Sequence, residues 1–492
     1  MTTTMYLGLD VGTQGAKGLL VDAESGRVIA RAARSYGLCE GLPRGAAEQD
    51  PAIWEAALAA IVPELLAAPE ARGRRLAGVG VSGQQHGFVP VDEAGAVLRR
   101  AKLWCDTETA PQARELERRW GRPVPVGFTA SKILWLKETE PERFARLRHV
   151  LLPHDWLNFR LTGRAVAEAG DASGTGLLDP VERRWDLDAA TALDAALPSC
   201  LPPLLAPRER AGRVDSAGAG RFGIPEGTPV APGGGDNMMS ALGSGATRPG
   251  VVVASLGTSG TIFARSETPV VDPAGLIAPF CDSAGAWLPL LCVMNATAAT
   301  EAVRRMCAHD DAAGLARLEA EAVGMSFGTS PLVIPFFMGE RVPALPEATA
   351  SILRLHAENG TPAALYRGAI EGVCANLVFG LRRLEALGVR VEGLRLVGGG
   401  ARSATWARVL ADLAARPVSP LEETESAALG AAVQAAWCDP EGPFGDDPID
   451  AVAARFVRAP AAPILPDPEN AAPAADHLAS FETELARRYG DT

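Results

Sequence analysis

The sequence predicts an α/β protein built as two duplicated halves that face each other. A Gly-Thr-x-Gly turn between two apolar strands stands near the N-terminus, in Leu9-Asp10-Val11-Gly12-Thr13-Gln14-Gly15, and returns in Ala254-Ser255-Leu256-Gly257-Thr258-Ser259-Gly260. One such turn is an ordinary hairpin; two, one near the start of each half, indicate an internal duplication. A Gly/Pro-rich seam from Gly243 to Gly250 lies between them and marks a boundary. The expected domains are residues 5–247 and 248–492.

Residues 5–35 read as a three-stranded meander. Met5 to Asp10 is a strand, a second follows the glycine turn, and Glu24-Ser25-Gly26 turns into a third from Val28 to Ala33. Asp50-Pro51 is an N-cap followed by proline at the first helical position, with Trp54, Leu58 and Ile61 at helical spacing. Leu76 to Ser82 is a buried strand ending at Gly83-Gln84-Gln85-His86-Gly87, and residues 101–225 alternate helical stretches with loops. Pro232-Gly233-Gly234-Gly235-Asp236-Asn237 leads into a small-residue helix, Met238 to Gly243. In the second half, Val251 to Leu256 and Thr261 to Ala264 flank the repeated turn. Leu394 to Val397 is a strand, Gly398-Gly399-Gly400 its turn, and Ala401 to Ala414 a helix. Residues 439–475, rich in Pro, Ala and Asp, read as irregular, with a final helix around His477 to Tyr489.

Composition narrows the function classes. At about 100–200 residues per domain, a chain of 492 residues has room for two to four. Hydrophobic residues at 47% and charged residues at 22% suit large buried cores and exclude a disordered chain. The net charge of −12 repels phosphate backbones, so nucleic acid is not an expected partner. An anionic ligand must instead be held by local N–H-rich loops. The eight cysteines are scattered with no Cys-x-x-Cys pair, which argues for reduced, mostly buried thiols. With no basic region ahead of an apolar leader and no apolar run of spanning length, the expectation is a cytoplasmic protein without membrane contact.

Several residues have the chemistry of a phosphate site. Glycine lets successive N–H groups converge on phosphate oxygens, and Thr and Ser hydroxyls add donors. Thr13 with Gln14, and Thr258 with Ser259, stand in such turns. Asp10, at the end of its strand, has the position of a Mg²⁺-associated carboxylate, or of a turn acceptor. Asp236 opens a helix after three glycines, where it serves either as a general base for an attacking hydroxyl or as an N-cap. Gln85, His86 and Asn237 carry donors and acceptors suited to sugar hydroxyls, or His86 is a structural loop histidine and Asn237 a capping Asn; Trp104 with Asp106 adds a stacking face and an acceptor, or is a core Trp with a surface Asp. The turn at Gly399 and Gly400 admits an adenine or ribose against the backbone, or is a plain strand-to-helix turn.

These motifs together resemble the FGGY carbohydrate kinase family, from about Tyr6 to about Gln434. The carriers are Gly8-Leu9-Asp10-Val11-Gly12-Thr13, Glu48-Gln49-Asp50-Pro51 with Trp54, Gly83-Gln84-Gln85-His86-Gly87, and Gly127-Phe128-Thr129-Ala130-Ser131-Lys132 with Trp135. Gly233-Gly234-Gly235-Asp236-Asn237, the second Gly-Thr turn, and Gly398-Gly399-Gly400-Ala401-Arg402-Ser403 continue the series. The Gln-Gln-His-Gly form is nearer to the branch acting on D-xylulose than to the branch acting on glycerol. The resemblance implies two actin-like, ribonuclease-H-like domains with sugar and ATP in the cleft between them. It implies sugar on the first domain and ATP on the second. Asp236 would be the general base, Asp10 the Mg²⁺ acid, and Gly399, Gly400 and Ala401 the adenosine wall. Gln85, His86, Asp236 and Asn237 would contact the sugar, with Trp104 and Asp106 beside them. The implied partners are a small sugar and ATP, and a homodimer is left open. Departures fall at Cys105, where the family often has Asn, at Val342 and Ala344, and at Arg354, where a Gly is usual. The rival readings are a sister kinase for ribulose, another ketose or a polyol, and an actin-like nucleotide-dependent binding protein without sugar transfer.

Overall fold

The computed structural model describes residues 4–307, 311–459 and 462–490. The N-terminal meander forms as predicted: β1 (Thr4–Val11), β2 (Gly15–Asp22) and β3 (Val28–Ser35) are antiparallel neighbours. α1 (Pro51–Leu66) starts where the Asp50 carboxylate accepts the Ala52 amide hydrogen, and buries Trp54, Leu58 and Ile61. β4 (Arg75–Gly83) runs parallel to β1. An insertion carrying α2 (Thr129–Thr139), α3 (Pro153–Thr162) and the short α4 (Ala169–Ala172) precedes β5 (Pro229–Val230), which pairs parallel to β4. α5 (Asp236–Gly243) ends this half.

The second half repeats the plan. β6 (Gly250–Leu256) and β7 (Gly260–Ala264) flank the second Gly-Thr turn, and β8 (Ala278–Cys281) and β9 (Trp287–Val293) extend the sheet. After α6 (Thr297–Met306) and the long α7 (Pro362–Ala386) come β10 (Val391–Val397), α8 (Ala404–Ala414) and β11 (Val418–Pro420). The two sheets have the same path, β3-β2-β1-β4-β5 and β9-β7-β6-β10-β11, with the first three strands antiparallel and the rest parallel. That is the duplicated ribonuclease-H-like, actin-like architecture.

Packing divides the chain differently from sequence. α9 (Ser426–Trp437), from the C-terminal half, lies on β1 and β4 of the first sheet. A Cβ added to Gly8 or Gly80 would fall 1.9 Å from the carbonyl oxygens of Ala428 and Ala431, so only glycine admits the helix. α9 also crosses α5 main chain to main chain: a Cβ on Gly430 would lie 1.7 Å from the Met239 carbonyl oxygen, and one on Gly243 1.9 Å from that of Ser426. The Ser240 and Ser426 hydroxyls bond across the crossing at 2.6 Å. Around it, a core between the sheets joins Tyr6, Val21 and Met238 to Val253, Phe263 and Trp437.

Residues 439–475 are not irregular throughout, as composition suggested. α10 (Ile449–Phe456) buries Ile449, Val452, Ala453 and Phe456 at helical spacing against the core between the sheets. α11 (Ala471–Tyr489) begins earlier than His477 and lays Leu478, Phe481 and Leu485 on the second core. The helix expected from Ala401 instead starts at Ala404, where the Ser403 hydroxyl caps it after a 3₁₀ turn. Arg354, at an expected glycine, has φ 57°, the left-handed conformation a glycine would take. Val342 fills the second core, and Ala344 is exposed.

The halves meet at a second place, between the α4 region and the β8–β9 hairpin. The Ser173 hydroxyl accepts the Cys281 amide hydrogen at 2.9 Å, the Ser283 hydroxyl donates to Glu168 at 2.9 Å, and Trp287 Nε1 donates to the Pro180 carbonyl at 2.7 Å. Among the described residues no helix is long and apolar enough to cross a membrane, and all eight cysteines are unpaired. Cys200, Cys281, Cys374 and Cys438 are buried; the other four are half-buried.

The helix crossing gives a direct stability prediction. Gly430→Ala should lower stability by about 1–3 kcal/mol or more, because main chain must move. Gly220→Ala, in the exposed helix Ser216–Phe222 with nothing within 4 Å, should gain up to about 1 kcal/mol. Urea unfolding of the two variants checks this; equal midpoints would show that the crossing is not tight.

Candidate active site

Three strand ends converge on one edge of the first sheet. The register sets Asp10 of β1 opposite Ser82 of β4, and the two-residue strand Gly234–Gly235 runs parallel to Ser82 and Gly83. The chain then opens α5 with Asp236, so Asp10 and Asp236 arrive at the same edge. Gly233 has φ 78°, and its amide and carbonyl are both held by the Gln434 side chain of α9, at 2.8 and 3.0 Å. The loop ahead of Asp236 is therefore fixed from the other half of the chain.

Asp236 is not the N-cap that sequence left open. Gly235 caps the helix, and among the described residues the Asp236 carboxylate accepts only from Asn237, at 2.9 Å from the amide nitrogen and 3.1 Å from Nδ2. Burial, then the negative charges of Asp10 and Asp171, push its carboxyl up to about 8. Burial also pushes Asp10 up to about 6, against the Ser82 hydroxyl, which donates to it at 2.7 Å. Neither acid has an ion-pair partner among the described residues. Two carboxylates lifted in this way form a hard oxygen-donor set suited to a divalent cation.

The predicted sugar contacts cluster beside Asp236. Asn237 Nδ2 donates to Gln85 Oε1 at 2.6 Å, and Thr261 of β7 donates to Asn237 Oδ1 at 3.0 Å, linking both halves. His86 has φ 59°, a costly conformation for a residue with a Cβ, and such strain gathers at functional sites. Its ring lies 5.3 Å from both Phe128 and Phe280, one from each half. Phe128 is held by Lys132, whose ammonium donates to the carbonyls of Val126, Gly127 and Phe128 at 3.0, 2.8 and 3.1 Å.

Other predicted residues stand differently. The half-buried Trp104 donates through Nε1 to Thr13 Oγ1 at 3.1 Å, and that hydroxyl donates to Gln84 Oε1 at 3.0 Å, so Thr13 is engaged within the protein. Asp106 does not face the cleft. It is fully buried, and its Oδ2 accepts from the Ala47 amide at 2.9 Å and from Lys102 at 3.0 Å. Glu48, Asp106 and Glu108 together could enclose a metal ion, but the Lys102 ammonium already lies within 3.2 Å of each. The two Gly-Thr turns are alike but differ by one residue: Gly12 N–H bonds the Gly15 carbonyl and Gly257 N–H the Ser259 carbonyl, both at 3.0 Å, and the second turn is the shorter. Gln14 and Thr258 are exposed and Ser259 is half-buried. In the late glycine turn only Gly399 is exposed; Gly400 packs on Leu256 and Ala401 is buried.

Sequence reading missed a buried acidic chain behind His86. Asp171 lies against His86 and His154, and Asp155 lies on the far side of His154. Glu168 beside them accepts from the Gly170 and Asp171 amides and is lifted by burial to about 7. The adjacent His154-Asp155 pair was a visible signal in a chain with six histidines. Its link to Asp171 is made only by the fold.

Comparison with known proteins places the chain in one family. The model of the FGGY family of carbohydrate kinases matches residues 5–243 with its N-terminal domain and residues 252–438 with its C-terminal domain. A xylulose kinase of Haemophilus influenzae is 38% identical over 454 residues, covering 89% of this chain and 91% of that one. A xylulose kinase of Streptomyces coelicolor is 39% identical over 476 residues, covering 94% and 92%. The crystal structure of xylulose kinase from Rhodospirillum rubrum superposes with a TM-score of 0.87 at 29% identity, covering 98% of each chain.

The coupling of the two acids is testable without any ligand. If the Asp10 charge helps hold the Asp236 carboxyl near 8, Asp10→Asn lowers that titration midpoint. Carbon-13 aspartate NMR, assigned with Asp236→Asn, reads it directly. An unchanged midpoint would mean that burial and Asp171 alone set the value.

Proposed function

The chain belongs to the FGGY family of carbohydrate kinases, and on that ground we propose that it transfers the γ-phosphoryl group of ATP to the terminal hydroxyl of D-xylulose, giving D-xylulose 5-phosphate and ADP. The observation that carries the reading is the pair Asp10 and Asp236, two raised carboxyls without cation partners beside the Gln85, His86 and Asn237 cluster.

In this reading residues 5–247 bind mainly the sugar and residues 248–492 mainly the nucleotide. Gln85, His86, Asn237 and the face of Trp104 hold the sugar hydroxyls and orient one of them toward Asp236. Above its pKa Asp236 accepts the hydroxyl proton as the oxygen attacks phosphorus, and a midpoint near 8 makes it a strong base for that step. The turns at Thr13-Gln14 and Thr258-Ser259 supply N–H groups to phosphate oxygens, and the exposed Gly399 offers a backbone surface to the adenosine. Asp10 would hold a magnesium ion that arrives with the nucleotide, directly or through water, and such an ion would supply charge neutralisation at the phosphoryl oxygens. Closing the cleft excludes water from the phosphoryl group. The setting is the cytoplasm, where ATP is made and unpaired thiols persist.

ADP release with Mg-ATP across a panel of ketoses and polyols tests this. D-xylulose should stimulate turnover most, and Asp236→Ala should lower kcat by about 10²–10⁴-fold. Stimulation by ribulose or a polyol instead would keep the mechanism and change the substrate. A panel with no stimulating sugar would sink the kinase reading.

A further inference from the structure

Apart from the charge that Asp171 lends to Asp236, the buried chain behind His86 has no role in the steps above. We propose that Asp171 is a positioning residue that seats the His86 imidazole with Nε2 toward the substrate, and that His154 with Asp155 fixes Asp171 from behind. The ligand in this inference, a sugar hydroxyl, rests on the proposed function; the seating of the ring does not.

Every side of the His86 ring is determined. The His86 amide donates to Asp171 Oδ1 at 3.2 Å, and ring Nδ1 lies 3.4 Å from the same oxygen. The other oxygen, Oδ2, lies 3.0 Å from His154 Nδ1, and His154 Nε2 lies 2.9 Å from Asp155 Oδ1. Asp155 is anchored in turn, because its Oδ2 accepts the Leu152 amide hydrogen at 3.0 Å. His154 is hydrogen-bonded to Asp171 through Nδ1 and meets Asp155 at Nε2 as an ion-pair contact, and a carboxylate beside each nitrogen favours the imidazolium. Burial opposes that charge, yet Asp155 and Asp171 together raise His154 well above its ordinary value. Burial alone would lift the Asp171 carboxyl, but His154 and His86 outweigh it and hold Asp171 below the usual range.

Packing completes the seat. A Cβ on Gly174 would fall 1.7 Å from His86 Nδ1, so the ring lies directly on that glycine. Phe128 and Phe280 flank it, and the Thr129 hydroxyl donates to the His86 carbonyl at 3.0 Å. Nδ1 makes no close hydrogen bond in this geometry, its nearest carboxylate oxygen being Asp171 Oδ1 at 3.4 Å, and Nε2 is bonded to none of the described residues. With the ring proton on Nδ1 facing Asp171, the Nε2 lone pair accepts from a substrate O–H. The position thus selects a hydroxyl and disfavours a carbonyl oxygen.

Two measurements test this. Nitrogen-15 histidine NMR of the ligand-free protein, assigned with His86→Ala and His154→Gln, should show the His86 proton on Nδ1 and His154 carrying protons on both nitrogens at neutral pH. A His86 proton on Nε2 overturns the proposal whatever the substrate proves to be. In kinetics, Asp171→Asn should raise KM for D-xylulose about tenfold and leave KM for ATP unchanged, and in the His86→Ala background it should cause no further rise in KM for D-xylulose. Losses that multiply in the double variant, or an equal rise in KM for ATP, overturn it. If no sugar is turned over, the functional reading falls and the NMR result still decides the seating. Should Asp171→Asn fail to fold, the ligand-free spectrum of the unmodified protein remains the deciding measurement.

Discussion

Where α5 crosses α9, Gly243 and Gly430 let two main chains touch, and the mouth of the cleft is built outward from that crossing. α9 rests on β1 and β4 through Gly8 and Gly80, so it is fixed to the sheet that carries Asp10. α5 begins with Asp236 and is fixed to α9. The distance between the two acids is therefore set by backbone contacts, not by flexible side chains. Gln434 strengthens the arrangement by holding both polar groups of Gly233. A few ångströms of extra side chain at the crossing would displace Asp236 from Asp10. Since phosphoryl transfer depends on positioning and electrostatics, such a displacement would be felt as lost rate as well as lost stability.

Electrostatics in this region work against the bulk charge of the protein. A chain of net charge −12 repels a nucleotide, and the cleft adds Asp10 and Asp236. Burial first, and then the charges of Asp10 and Asp171, keep Asp236 basic, which general-base work needs. Behind His86, charge is handled in the opposite way. His154 lies between Asp155 and Asp171, and the group is fully enclosed. Buried charges of this kind are kept only when paired on all sides. The site thus combines unpaired acids at the surface of the cleft with paired acids beneath it.

Much of this was legible in the sequence, and the reasons are local. The meander, the two Gly-Thr turns and the strand before Gly83 are set by short-range turn chemistry and period-two patterning, and they formed where expected. Asp236, Asn237, Gln85 and His86 were identified from their turns, and the fold brings them together. What was missed depends on distance along the chain. α9 packs on a sheet formed some 350 residues earlier, and no local pattern announces that. Asp106 looked like a cleft acid, but its fate was decided by Lys102, four positions earlier at the end of a two-residue strand, with both side chains buried. Asp171 had no flanking motif, since its partners arrive from two other segments. α10 was hidden because Pro and Asp around it masked a helical period of only four apolar residues.

The contact between the α4 region and the β8–β9 hairpin has a mechanical meaning. Together with the α5–α9 crossing, the core between the sheets and the Thr261–Asn237 hydrogen bond, it spreads the attachment of the halves over a broad seam instead of a single hinge. Any opening that keeps this seam packed must turn about it, and displacement is then least at the seam itself. His86, packed between Phe128 of one half and Phe280 of the other, belongs to that seam, so both halves hold its ring at once.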